Sequence, residues 1–242
     1  MLCLVLLACE NPDYIYFFHE TIEQDYECCE GEHCARVSMS YPRFKPINPT
    51  LSRVNELIRE KLFSYLEVGD PEMTPSGWGT YDEFCKSYKE MVGNGSVALD
   101  WELDTQVVLT QQGQEILSLR FTHYYFTGGA HPNTVVDYLM FDLTEPGKIL
   151  EPHTLVLNEE ALLEKVEQSF REFHEVEDGI SLAEDGRFFL DRNSLFLPAA
   201  MGYEGDEWVM VYNTYEVAPY AMGQTVLSFP MDELRGIVRG WR

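Results

Sequence analysis

The chain has 242 residues, of which 45% are hydrophobic and 13% aromatic. This apolar content is ample for a buried core and argues against a disordered chain. Its 41 acidic residues against 17 basic ones give a formal net charge of -24, which repels nucleic-acid phosphates and anionic lipid head groups. Two interpretations of this acidity stay open: it keeps an exported protein soluble, or it attracts a strongly basic ligand.

An apolar run from Leu2 to Ala8 ends at Cys9 in the sequence Leu-Leu-Ala-Cys. A small residue before a cysteine is typical of bacterial lipoprotein signals, in which the cysteine is lipidated and becomes the first residue. We expect residues 1–9 to be such a signal; the alternative is a short buried strand. The run is too short to span a bilayer. Lipid on Cys9 would then be the link to a bacterial membrane, with the protein facing the periplasm or the cell exterior.

The N-terminal part of the chain predicts two strands and then two helices. Residues 14–44 are extended and aromatic, and their interruption at 30–32 predicts an antiparallel pair with a tight turn. Asn48 is the expected cap of a helix with Pro49 at its first position. Its apolar residues recur at helical spacing: Leu51, Val54, Leu57, Ile58, Leu62, Tyr65 and Leu66. A capping box at 80–83 predicts a second helix carrying Phe84, Tyr88 and Met91.

Four further cysteines are candidates for disulfides in an exported chain: Cys28, Cys29, Cys34 and Cys85. Adjacent cysteines point to opposite faces of a strand, which suits tetrahedral zinc poorly, so no metal site is expected. Cys85 lies on the apolar face of the second predicted helix. It is either a buried small hydrophobe or the partner of a cysteine in the 28–34 region, and the pairing stays open.

The clearest strand runs from Val97 to Thr110, where apolar residues alternate with polar and acidic ones. Strands over 115–126 and 134–143 follow it with short connections and predict an antiparallel meander. Asn158 then caps a helix whose expected inward side is Leu162, Leu163, Val166, Phe170 and Phe173. The C-terminal part predicts short strands around 188–190, 195–197, 208–212 and 226–229, and a helical turn over 231–238.

This order of elements predicts an α+β fold of antiparallel sheets with helices packed on them. Parallel crossover units fit less well, because strands come in runs with helices between the runs. We expect two intimately joined lobes, an N-terminal α+β lobe over residues 14–126 and a C-terminal lobe over 127–242.

Two short segments, 124–133 and 215–223, crowd aromatic, glycine and proline residues without helical or strand periodicity. Such crowding indicates turns, where glycine and proline meet special backbone requirements. Tyrosine rings there offer flat apolar area with a hydroxyl group, which suits protein or sugar ligands, although turn aromatics also cover cores. The candidate ligand-binding residues are Tyr124, His131, Asn133, Tyr215, Glu216 and Tyr220.

Two of these candidates have alternative roles. His131 either meets a ligand or packs within its turn, and no second ligand stands at a spacing that metal sites favour. Glu216 either accepts a hydrogen bond within its turn or acts as an acid. His123 shares a strand face with Phe121 and is expected at the edge of the core.

The sequence contains no nucleophile elbow, phosphate-binding glycine loop, dinucleotide fingerprint or helical zinc motif. We therefore name no catalytic residue and expect no cofactor. A Ser, Cys or His triad is a spatial arrangement, however, and sequence alone does not exclude one.

The segment Tyr-x-Phe-x-Gly-Gly-Ala-His-Pro-Asn at 124–133, the segment Tyr-Glu-Val-Ala-Pro-Tyr-Ala-Met-Gly at 215–223, and the closing strand into 231–234 together resemble the extracytoplasmic domain family named after the anti-sigma factor RsiV. The segment 37–44 and the helix with Asn55 are similar to the N-terminal half of that family. The resemblance covers most of the chain. It implies a two-lobe α+β fold of largely unassigned function, often found on bacterial lipoproteins.

In the RsiV branch, the resemblance implies lysozyme binding, but anti-sigma members also need a sigma-binding segment and a transmembrane helix, which this sequence does not show. Relatives that deacetylate peptidoglycan carry a separate catalytic domain. We therefore expect a non-catalytic, lipid-anchored envelope protein that binds a cell-wall glycan or a basic protein such as lysozyme, and no nucleic acid. The alternative is an envelope enzyme that acts on peptidoglycan or another glycan.

Overall fold

The computed structural model describes residues 15–24, 28–30, 32–67, 81–93 and 100–241. The predicted lipoprotein signal with Cys9, the Thr80 half of the predicted capping box and the first residues of the strand predicted from Val97 lie outside these ranges. Among the helices within them, none is both long enough and apolar enough to cross a bilayer.

A seven-stranded sheet dominates the described chain. Its strands are β1 (Phe17–Gln24), β2 (Cys29–Glu30), β3 (His33–Phe44), β4 (Trp101–Gln112), β5 (Ile116–Phe126), β6 (Asn133–Asp142) and β7 (Lys148–Ile149). Their order is β1-β3-β4-β5-β6-β7, and β2 pairs with β3. Strands β4, β5 and β6 form the predicted antiparallel meander. The α+β class, with large antiparallel sheets and packed helices, is confirmed.

One pair in this sheet is parallel. Strands β3 and β4 run side by side with Ala35 opposite Trp101 and Ser40 opposite Gln106. A parallel neighbour needs a crossover connection, and the chain between them contains α1 (Pro49–Ser64) and α2 (Tyr81–Gly93). The prediction that disfavoured crossover units is wrong for this pair, because hydrophobic alternation identifies a strand without giving its direction.

Helices α1 and α2 cover one face of the large sheet. The Asn48 side chain accepts a hydrogen bond from the Leu51 backbone N–H, and Pro49 begins α1, as predicted. Helix α1 buries Leu51, Val54, Leu57, Ile58 and Leu62, and α2 buries Phe84, Cys85 and Tyr88. These helix residues form one hydrophobic core with residues of the large sheet, such as Leu119 and Phe141. Met91 lies on α2, as predicted, and is 43% exposed.

The C-terminal part contains three helices and a three-stranded sheet within the described residues. They are α3 (Pro152–Leu155), α4 (Glu159–Phe173), α5 (Leu182–Asp185), β8 (Ala200–Glu204), β9 (Glu207–Tyr212) and β10 (Thr225–Pro230). The sheet has the order β10-β9-β8 and is antiparallel. The strands predicted around 188–190 and 195–197 do not form, and 231–238 contains turns instead of a helix. Strand β8 was not predicted, since four of its five residues are buried and the strand does not alternate.

The small sheet lies between α4 and the large sheet. Helix α4 buries Leu162, Val166 and Phe170 in a second core that includes Met210 and Tyr212 of β9. Phe173 is 51% exposed and is not the core residue expected. The opposite side of β8 and β9 packs on β6 through a small cluster: Val136, Tyr138, Ala200, Val209 and Val211.

The large sheet crosses the predicted lobe boundary at residues 126 and 127. Strand β6 lies beyond that boundary, yet it pairs with β5 from Asn133 opposite Tyr125 to Asp142 opposite Ile116. The two large cores take residues from this one strand pair: Leu119 belongs to the first core and Ile116 to the second. The two halves of the chain therefore share a structural element.

Two disulfides hold the β2–β3 hairpin. Cys29 is bonded to Cys34 across the hairpin, and Cys28 is bonded to Cys85 on α2. Neighbouring residues of an extended segment point to opposite sides, so Cys28 and Cys29 have different partners. Cys85 is both a buried residue and a disulfide partner, since it is 7% exposed and bonded to Cys28.

Candidate functional site

The two motif segments, far apart in sequence, lie against each other. The imidazole ring of His131 stacks on the ring of Tyr220 with 3.7 Å between centroids and 20° between planes. The Tyr215 hydroxyl lies 3.1 Å from Nε2 of His131. The Tyr220 hydroxyl donates a hydrogen bond to the Pro132 carbonyl at 2.8 Å. These contacts fix the Tyr220 ring from two directions.

The turn after β9 has a strained backbone. Tyr215 has a φ of +69°, in the left-handed region that bulky residues rarely adopt, and its side chain is 53% exposed. Glu216 holds this turn: its carboxylate accepts hydrogen bonds from the Asn213 N–H at 2.8 Å and the Ala199 N–H at 3.1 Å. Its structural role is therefore the turn hydrogen bond. Strain of this kind is often kept where a surface has a function.

Asn213 connects this turn to the large sheet. Its side-chain carbonyl accepts from the Val136 N–H at 2.8 Å, and its amide donates to the Val136 carbonyl at 2.9 Å. The side chain thus replaces a neighbouring strand for Val136. The amide of Gln224 donates both to Asn213 Oδ1 at 2.8 Å and to the Thr134 carbonyl at 3.1 Å. Two residues of β6 are thereby hydrogen-bonded to the two ends of the connection between β9 and β10.

A groove of about 420 Å³ opens beside Tyr220. We call it the Tyr220 groove, and the described residues that line it are Tyr124, Pro132, Asn133, Thr134, Thr214, Tyr220, Ala221, Met222, Gly223 and Gln224. Tyr124 and Thr134 face each other across the β5–β6 pair. The short 3-10 helix Tyr220–Met222 contributes a second side.

Several polar groups of the Tyr220 groove are not used in hydrogen bonds within the described part of the chain. Within the described part of the chain, the side-chain hydroxyls of Tyr124 and Thr134 have no hydrogen-bond partner, and neither has Oε1 of Gln224. Asn133 is held firmly: its Oδ1 accepts from Thr214 Oγ1 at 2.8 Å, and its amide donates to the Tyr125 hydroxyl at 3.0 Å. Fixed walls with unused hydrogen-bonding groups are typical of a binding site.

The predicted site residues divide into three groups. Tyr124, Asn133 and Tyr220 line the Tyr220 groove. His131 and Tyr215 support Tyr220 from beside it, and Glu216 is engaged in its turn. Sequence reasoning missed four residues of the site: Thr134, Asn213, Thr214 and Gln224. Polar residues next to a motif gave the only signal for them, since neither strand register nor contact between distant segments is visible in a sequence.

The glycines of the first motif differ in their backbone requirements. Gly128 has a φ of +83°, and a Cβ atom there would lie 3.3 Å from Nε1 of Trp101. Gly129 has open space around it, with no atom within 4 Å of a Cβ. The turn therefore requires a glycine at position 128 but not at position 129.

His123 is a core residue, as its place in the strand pattern predicted. It is 5% exposed, stacks on Tyr65 with 4.1 Å between centroids, and has Nδ1 2.8 Å from Thr105 Oγ1. Burial lowers its pKa to about 4, against a weak opposing effect of Asp104. Its neighbour Tyr124 points to the other side of the sheet, so His123 does not reach the Tyr220 groove.

Within the described ranges, the requirements of a metal site are not met. No group of three or more His, Cys, Asp or Glu side chains there is arranged to hold a metal ion. Beside the site, burial and then the Glu216 carboxylate raise the pKa of Tyr212, which therefore stays neutral and donates a hydrogen bond to the Phe196 carbonyl at 2.5 Å.

Two family models match different parts of the chain. Residues 28–134 match the family described as Deacetylase PdaC. Residues 149–232 match a family described as a protein of unknown function, DUF3298. The Tyr220 groove therefore combines residues of both matched segments, since Tyr124 and Thr134 belong to the first and Tyr220 and Gln224 to the second.

Two solved structures of proteins from this second family have a similar fold. A DUF3298 family protein from Pseudomonas aeruginosa PAO1 has a TM-score of 0.66 and 18% identity, over 94% of this chain and 95% of that one. A member of the DUF3298 family from Bacteroides fragilis has a TM-score of 0.70 and 16% identity, over 96% of each chain. No curated protein matches the sequence significantly. At these identities the likeness shows a shared fold.

Proposed function

We propose that this chain is a non-catalytic binding module of the bacterial cell envelope, with its ligand site in the Tyr220 groove. One observation carries the proposal: two distant motif segments meet and fix an aromatic residue at the side of a groove with unused hydrogen-bonding groups. A preorganised site loses less conformational entropy when its ligand binds, and this favours high affinity.

Export and a lipid anchor on Cys9 are part of this proposal. The lipoprotein-like run before Cys9 supports it, and so do the two disulfides, since such bonds persist in oxidising compartments outside the cytoplasm. Expression of the full-length sequence and of a Cys9→Ala variant in a bacterial host tests it. In a detergent phase-separation assay, we expect the wild-type protein in the detergent phase. The variant should carry no lipid and should stay in the aqueous phase. Wild-type protein without lipid on Cys9 would contradict the anchor.

The proposed ligand is associated with the cell wall. The resemblance of 124–133 and 215–223 to the RsiV-like family supports a lysozyme-like protein or a cell-wall component, and the net charge of -24 would speed the approach of a basic protein. Insoluble cell walls and a basic lysozyme are therefore the two probes, each measured over a salt series.

A matched pair of variants makes this test specific for the groove. Tyr220→Ala removes the fixed ring, and Phe18→Ala removes a ring that is 54% exposed on β1, at the other edge of the large sheet. We expect Tyr220→Ala to lose binding of at least one probe and Phe18→Ala to retain it. Equal binding by all three proteins, or none by the wild type, would refute a ligand site in the groove.

An enzyme acting on an acetylated glycan is the second candidate. The match of residues 28–134 to the family described as Deacetylase PdaC favours it. The test is incubation of the full chain with N-acetylated glycan fragments, with and without divalent metal ions, followed by mass spectrometry. Loss of acetyl groups would support this candidate, and unchanged fragments under both conditions would remove it.

A further inference from the structure

The charge of the Tyr220 groove differs from that of the whole chain. The formal net charge is -24, yet the described residues that line the groove are all uncharged. The carboxylate of Glu216, in the adjacent turn, is already hydrogen-bonded to the N–H groups of Asn213 and Ala199. A cationic ligand in the groove would lose water without gaining a charged partner, which is unfavourable. The lining therefore favours an uncharged ligand.

The lining combines apolar surface with hydroxyl and amide groups. Tyr124, Tyr220 and Met222 supply apolar area, while Thr134 and Gln224 supply hydrogen-bonding groups beside it. A purely apolar ligand would cover the hydroxyls of Tyr124 and Thr134 without satisfying them, which costs free energy. A suitable ligand must therefore have an apolar face and a polar edge at short distance.

A pyranose ring has this combination. Its C–H groups form an apolar face that packs on aromatic rings, and its hydroxyls both donate and accept hydrogen bonds. Because both amide N–H groups of Gln224 are used by Asn213 and the Thr134 carbonyl, its Oε1 remains as an acceptor for a sugar hydroxyl. The volume of about 420 Å³ is within the range of small-molecule sites.

We infer that the Tyr220 groove binds an uncharged glycan, with a pyranose unit against Tyr220 and its hydroxyls on Tyr124, Thr134 and Gln224. This inference rests on the proposed function, since it names the ligand class of the same site. It selects a neutral sugar chain over a basic protein as the occupant of the groove.

Three soluble oligosaccharide series test the inference with the full-length protein. One is neutral and N-acetylated (N-acetylglucosamine oligomers), one is neutral without amides (glucose oligomers), and one is cationic (glucosamine oligomers). Binding is followed by protein-observed NMR up to about 1 mM sugar, which detects weak complexes. We expect at least one neutral series to bind with an affinity that salt does not change, and the two neutral series separate N-acetylated glycans from plain ones.

Two variants remove hydroxyl groups that have no partner in the described chain. Tyr124→Phe and Thr134→Val keep the shape of the side chains, so thermal unfolding should be unchanged. Each lost hydrogen bond should weaken binding of the neutral glycan by about three- to tenfold. Tyr220→Ala should weaken it further, and Phe18→Ala is the control that should not.

The outcomes distinguish a failure of this inference from a failure of the proposed function. Neutral binding that is weakened by Tyr124→Phe or Thr134→Val supports both. If no neutral series binds, or only the cationic series binds and salt abolishes it, the glycan inference is overturned. The proposed function still stands in that case if Tyr220→Ala reduces binding of lysozyme or cell walls. If Tyr220→Ala reduces the binding of no probe, both are overturned.

Discussion

The ring of His131 lies on the ring of Tyr220 with 3.7 Å between their centroids. His131 belongs to the turn between β5 and β6, and Tyr220 to the connection between β9 and β10, so the contact joins the large sheet to the small one. Because the Tyr220 hydroxyl also donates a hydrogen bond to the Pro132 carbonyl, the position of the Tyr220 ring is fixed in the free protein. His131 therefore supports the Tyr220 ring from one side.

Replacing His131 by Ala should lower the free energy of unfolding by about 1 kcal/mol, because an aromatic pair contributes about 0.5–1.5 kcal/mol beyond its buried area. His131→Phe keeps a flat ring and should lose much less. Urea unfolding of the three proteins measures this. Equal losses for Ala and Phe would show that stacking is not what His131 contributes.

Asn213→Ala should destabilise the fold by about 2–3 kcal/mol. It leaves the N–H and carbonyl of Val136 without their partners, and an unsatisfied backbone group costs about 1–3 kcal/mol. Gln168→Ala is the matched control, because the exposed Gln168 amide bonds only Glu172 on the same helix. Thermal or urea unfolding compares the two variants. A loss below about 0.5 kcal/mol for Asn213→Ala would show that water replaces its bonds.

The two disulfides should differ in their contribution to stability. Cys28 and Cys85 are 57 residues apart and Cys29 and Cys34 only 5. Chain entropy in the unfolded state then predicts losses of about 4 and about 2 kcal/mol for the respective double Ser variants. Denaturant unfolding of both variants under oxidising conditions checks the order. The reverse order would mean that contacts in the native state outweigh chain entropy here.

Stability should decrease as the pH falls from about 6.5 to about 4. Burial lowers the pKa of His123 from 6.5 to about 4, so in this window the unfolded chain binds a proton that the folded chain does not. By about pH 4 the free energy of unfolding should be lower by roughly 3 kcal/mol because of His123. Burial, and then Arg187, also lower the pKa of His174, which adds in the same direction.

The His123→Phe variant isolates this contribution, since it keeps a ring between Tyr65 and Tyr125 and removes the titrating group. Urea unfolding at pH 7 and pH 4.5 should show a smaller pH-dependent loss for the variant than for the wild type. Identical losses would mean that His123 takes up its proton in the folded state as readily as in the unfolded chain.

Gly202→Ala should destabilise the contact between the two sheets by about 3 kcal/mol or more, because a Cβ atom there would overlap the ring of Tyr138. Gly129→Ala, with open space around it, is the control and should change little. Thermal unfolding measures both. Adding Tyr138→Leu to Gly202→Ala removes the ring and should restore part of the loss; no recovery would place the strain elsewhere.

Much of the fold could be predicted because its signals are local. Asn48 and Pro49 mark the start of α1, Asn158 caps α4, and alternation identifies the meander strands. The failures are also physical. Phe173 keeps helical spacing but is 51% exposed, and β8 has no alternation because four successive residues, on both of its faces, are buried.

The candidate site was only partly predictable. Unusual composition led to Tyr124, Asn133 and Tyr220, because turns and aromatic surfaces leave a mark in sequence. Thr134 and Gln224 leave none: one is an ordinary strand residue and the other a polar residue before β10. They join the site through strand pairing and contact between distant segments, which no local pattern encodes.

The Tyr220 groove is lined by Thr134, the last residue of one matched segment, and by Gln224, near the end of the other. Neither matched segment alone contains all the residues that line this groove. A recombination event that exchanged one segment alone would replace part of the groove lining and keep the rest. Recombination at the boundary between the two segments would therefore change the shape and the hydrogen-bonding groups of the groove in a single step.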